Sequence, residues 1–98
     1  MNAQMVIELK EKAGAQTVLS AIEAYKSRLQ ASIARTQRRL AQFEEKYGVA
    51  TAYFLQEMAA EDLEGGDMDY VEWAGEAQIM SGLRAELAEL ENVRYHIH

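Results

Sequence analysis

The feature that most constrains this chain is one apolar stripe that persists from Val18 to Tyr47. Val18, Ile22, Tyr25, Leu29, Ile33, Thr36, Leu40, Phe43 and Tyr47 follow one another at steps of three and four. That spacing lines them along one side of an α-helix. Glu23, Arg28, Arg35, Arg38 and Glu45 fall largely outside the stripe. Gly48 then stands where a glycine in the left-handed conformation ends a helix. A helix of that length is a rod of roughly 45 Å.

Such a rod cannot bury its stripe alone, and the C-terminal half supplies a partner. Trp73, Met80 and Leu87 are seven apart, and Leu83, Leu90 and Ile97 repeat the interval with an offset of three. This is an a/d heptad pattern, interrupted by Glu76 and Arg94. Asp69, with Glu72 three residues on, reads as an acidic capping box at the start of this second helix. Between the rods, Tyr53, Phe54, Leu55 and Met58 suggest a short helix opened by Thr51, and the Gly65-Gly66 pair marks a turn. Gly14 interrupts the phase of Met5, Leu9 and Ala13, so residues 1–14 read as a short helix or a flexible arm.

Composition supports the helical reading. Proline is absent, 49% of residues are apolar, and β-branched residues are few. The expected fold is all-α, a single domain over residues 1–98. Two long helices pack as an antiparallel hairpin with a short helix between them. A two-rod hairpin leaves each helix only one neighbour, so the chain is expected to dimerise into a four-helix arrangement. Cysteine is also absent, which suits the cytoplasm, and no apolar run approaches the ~20 residues needed to span a bilayer. Met1 to Leu9 lack the basic start and sustained apolar stretch of a cleavable signal.

Charge is unevenly distributed. Lys26, Arg28, Arg35, Arg38, Arg39 and Lys46 face only Glu44 and Glu45 in their segment, whereas eleven acids between Glu57 and Glu91 are accompanied by Arg84 alone. A net charge of -6 argues against general nucleic-acid binding, and the arginine cluster 35/38/39 reads better as a face paired with the acidic helix. His96-Ile97-His98 lacks the Glu-x-x-His of di-iron bundles and reads as a polar terminus. The pairs Glu57/Glu61 and Glu72/Glu76 lie one helical turn apart and read as solvated faces. Neither a Ser/His/Asp set nor a phosphate-cradling glycine motif is present. No catalytic residue, cofactor or metal is therefore expected.

Two stretches carry a more specific pattern. Phe43-Glu-Glu-Lys-Tyr-Gly48 with Phe54, then Gly66-Asp-Met-Asp-Tyr-Val-Glu-Trp73, resembles a family of small prokaryotic helical proteins. That family reads F-E-x-K-Y-G … G-D-x-D-[FY]-x-E-W before a closing Leu-rich helix. The resemblance covers residues 41–90. It implies the antitoxin-like member of a toxin–antitoxin gene pair, which neutralises a small basic toxin-like protein. The partner-binding side chains expected on that reading are the acids Glu57, Glu61, Asp62, Glu86 and Glu89. The alternative is a homo-oligomeric helical scaffold without a toxin partner. Trp73-Ala74-Gly75 is also similar to the Trp-x-Gly of secreted helical-hairpin proteins. There, however, the motif lies in the mid-chain turn, and the Tyr-x-x-x-Asp/Glu that follows the second helix in those proteins is absent near the end of this sequence.

Overall fold

The structure is a computed structural model that describes residues 6–9, 12–59 and 68–97. Two long helices pack against each other as the expected all-α hairpin: α1 (Lys12–Tyr47) and α3 (Met68–Glu91). Between them, the short helix α2 (Thr51–Tyr53) continues directly into a π-helical stretch (Phe54–Met58). The chain divides into two compact units, one formed by Ile33–Gly82 and the other by the remainder on either side, and both long helices run through both units.

The central unit holds the aromatic core. Phe54, Ala59, Tyr70 and Trp73 are buried together, with Leu40, Phe43, Tyr47, Val49, Met58 and Ala74 packed around them. Among the described residues, Trp73 and Phe54 are the largest side chains fully removed from solvent. α1 ends as its sequence predicts. Gly48 adopts φ +72° and its N–H donates to the Glu44 carbonyl at 2.8 Å, closing the last turn in the left-handed conformation. The π-helical stretch also has a packing reason. In an α-helix, residues five apart point about 140° away from each other. Widening the turn, with the Ala59 N–H donating to the Phe54 carbonyl, lets Phe54 and Ala59 both face the core.

In the other unit, Ala15 and Leu29 of α1 are buried, and Leu83, Leu87 and Leu90 of α3 are partly covered. Here the sequence reading needs three corrections. α1 starts at Lys12, so Gly14 lies within it and breaks nothing. Residues 6–9 form neither helix nor arm but a strand, β1 (Val6–Leu9). α3 stops at Glu91, so the heptad position Ile97 lies in a second strand, β2 (Arg94–Ile97), where a polar terminus was expected. The two strands pair in parallel, Val6 opposite Arg94 and Leu9 opposite Ile97. The helix is terminated by tight i→i+3 bonds from Asn92 N–H to the Glu89 carbonyl and from Val93 N–H to that of Leu90. The run Val93-Arg-Tyr-His-Ile97 then alternates apolar and polar residues, as a strand does.

Candidate interaction surface

The residues of the sequence motif converge on the core of the central unit. Trp73 lies nearly parallel to Phe54, 4.0 Å between ring centroids, and is also stacked with Phe43 and Tyr47. Tyr70 meets Phe54 and Tyr47 edge-on. Edge-on ring pairs of this kind add to the stabilisation from the area the rings bury. The indole N–H donates to the Thr51 hydroxyl at 3.0 Å, and that hydroxyl donates to a Glu44 carboxylate oxygen at 2.9 Å. The same oxygen accepts the Thr51 backbone N–H at 2.8 Å. A carboxylate from α1 thus satisfies an orphan donor at the start of α2, and the buried tryptophan keeps a hydrogen-bond partner.

Asp69 lies in the first turn of α3 and not at its N-cap. Its carboxylate accepts from Lys46 Nζ and, at 2.6 Å, from the Tyr47 hydroxyl. The lysine contact first, then the tyrosine, holds its pKa below the ordinary value. Glu72, read as the other half of a capping box, instead faces Arg39, which it approaches at 3.9 Å. Arg39 makes its closer pair with Glu76 at 2.9 Å. Glu72 thus stays solvent-exposed, as expected, while Glu76 is largely covered beside the guanidinium. Within this unit, Arg39 of the expected arginine cluster, together with Lys46, pairs with acids of α3.

The five acids expected to bind a partner fare differently. Glu61 and Asp62 lie outside the described residues. Glu57 is exposed on the π-helical stretch of the central unit. Glu86 and Glu89 lie three apart on α3 in the other unit, and both are exposed. Glu86 accepts a hydrogen bond from the Tyr25 hydroxyl, which raises the tyrosine pKa; the Arg28 guanidinium lies over the same ring. Glu57 and Glu89 make no ion pair among the described residues.

One surface was not anticipated. On α3, Met68, Val71, Gly75, Ile79 and Gly82 recur at steps of three and four, forming a second stripe away from the buried Tyr70, Trp73 and Met80. Met68, Val71 and Ile79 are among the most exposed large apolar side chains of the described residues, at 66%, 42% and 52%. A Cβ added to Gly75 or Gly82 would meet nothing within 4 Å. The same three-and-four spacing that revealed α1 is legible here, hidden by the heptad residues between.

Comparison with family models, curated proteins and solved structures gives no match. Among the described residues no group of three or more His, Cys, Asp and Glu side chains could hold a metal ion. None of their helices is long and apolar enough to cross a membrane.

Proposed function

We propose that this chain is a non-enzymatic, cytoplasmic helical protein-binding module that neutralises a small basic partner in the manner of an antitoxin. The observation that carries this reading is how the acids are partitioned. Asp69, Glu72 and Glu76 are engaged by Lys46 and Arg39 of the same chain, whereas Glu57 and Glu89 stand exposed without an ion pair among the described residues. Charges already paired within the chain have little left for a partner. Exposed like charges steer association with a surface of opposite sign and are screened by salt. Glu86, which accepts from the Tyr25 hydroxyl, is exposed three residues before Glu89 on the same helix. The motif residues themselves are occupied in the aromatic core, so they support the architecture and leave recognition to the exposed acids.

The test is binding of the purified chain to the product of a short basic open reading frame beside its gene. Reversing Glu86 and Glu89 to Lys is expected to weaken that binding about tenfold or more and to make its salt dependence shallower. A basic neighbour that fails to bind, or that binds the reversed variant equally well, would sink the antitoxin reading. The second reading, a homo-oligomeric scaffold, is favoured by one separate observation, the uncovered apolar stripe on α3.

A further inference from the structure

We propose that the outer face of α3 is a two-fold interface at which a second copy of this chain docks antiparallel, crossing at Gly75. The inference rests on the homo-oligomeric reading for its occupant and adds the surface, the direction and the register. α3 is apolar on two sides: Tyr70, Trp73 and Met80 are buried within the chain, and Met68, Val71 and Ile79 are not. A helix with apolar residues on both sides belongs between two neighbours, and among the described residues only one is present.

The pattern along the stripe identifies the missing neighbour. Read outward from Gly75, Val71 lies four residues before and Ile79 four after, while Met68 lies seven before and Gly82 seven after. A two-fold axis at Gly75 sets Val71 against Ile79 of the other copy, Met68 against its Gly82, and glycine against glycine. Large side chains meet small ones, and the backbones can approach closely at the crossing. Such self-complementarity is what an isologous interface requires, since one patch must serve both partners.

The glycines point the same way. Glycine inside a helix is destabilising relative to alanine. No contact among the described residues accounts for Gly75 or Gly82, because a Cβ at either has open space around it. Close approach of a second helix would use that space. Direction follows from the same pattern: only an antiparallel pair sets Met68 against Gly82 and Val71 against Ile79, whereas a parallel pair sets each large side chain against its own copy.

Because the chain contains no cysteine, single substitutions can report the register directly. The full-length chain is expected to sediment as a concentration-dependent dimer. Under mild oxidation Gly75→Cys should cross-link to itself. Met68→Cys should cross-link to a Gly82→Cys copy but not to another Met68→Cys copy. Gly75→Leu should weaken dimerisation about tenfold or more by filling the crossing point, while circular dichroism shows an unchanged helical fold. Should that variant misfold, the cross-linking pattern decides. A monomer at all concentrations overturns both this interface and the homo-oligomeric reading. A dimer in which Met68→Cys links to itself, or Gly75→Cys does not, overturns the interface alone. So does a dimer that Gly75→Leu leaves intact.

Discussion

Trp73 concentrates the stability of the central unit in one side chain. Its indole is fully buried, stacks with three rings, and donates its N–H into the Thr51–Glu44 relay. Trp73→Ala removes the stacking surface and strips Thr51 of its donor, so urea denaturation should show a loss of about 3–5 kcal/mol. A loss below about 1 kcal/mol would overturn the assignment of the ring to the stabilising core. Asp69 makes a pH-dependent contribution. Its folded pKa is depressed below the ordinary 3.8, chiefly by the hydrogen bond from Lys46. A depressed carboxyl contributes stability that is present above its unfolded value and lost as pH falls through the folded one. Melting temperature followed from neutrality into acid should therefore fall less steeply for Asp69→Asn than for the parent chain. An unchanged acid limb would show that the contact with Lys46 and Tyr47 carries no net energy.

At the scale of the element, the boundaries show which local rules held. Gly48 ends α1 because its φ of +72° is strained for any residue with a Cβ, not because space is short: a Cβ there meets nothing within 4 Å. Gly48→Ala should accordingly cost about 1 kcal/mol, all of it conformational, and a Gly48→Asn variant should recover part of the loss in the same denaturation assay. Equal stability for glycine and alanine would indicate that the turn relaxes out of the left-handed region. The start of α3 worked by a different rule. Asp69 and Glu72 have the spacing of a capping box, yet both reach across to α1, where Lys46, Tyr47 and Arg39 offer charged or hydroxyl partners. Hydrogen bonds assisted by charge are roughly twice as strong as neutral ones. Local spacing therefore named the right residues for the wrong task. The Leu83–Leu90–Ile97 heptad predicts a longer α3, but the helix stops at Glu91 and the alternation from Val93 to Ile97 belongs to a strand.

For the whole molecule, the decisive measurement is the response of the free chain to charge reversal on α3. Glu86 and Glu89 are exposed, and exposed charges contribute only about 0–1 kcal/mol each. Glu86→Lys with Glu89→Lys should leave the helical signal of the free chain unchanged and its melting temperature nearly so, by circular dichroism. Unfolding of the double variant would assign these acids to the fold and remove them from recognition. The hairpin, its stripe, the glycine stop and the burial of Trp73 were legible in the sequence, because helical periodicity and left-handed glycine are local properties that a linear pattern records. The pairing of β1 with β2 was not, since the alternation within one short strand says nothing of which segment at the opposite end of the chain it meets. Nor was the division of the acids into paired and available ones. Glu72, Glu76 and Glu89 are the same residue type on one helix, and only the position of Arg39 distinguishes them. The outer stripe of α3 lies between these cases: its spacing is written in the sequence, but that it remains uncovered is a fact of packing. A sequence determines which faces can be buried; which of them the chain itself buries depends on contacts between residues far apart along it.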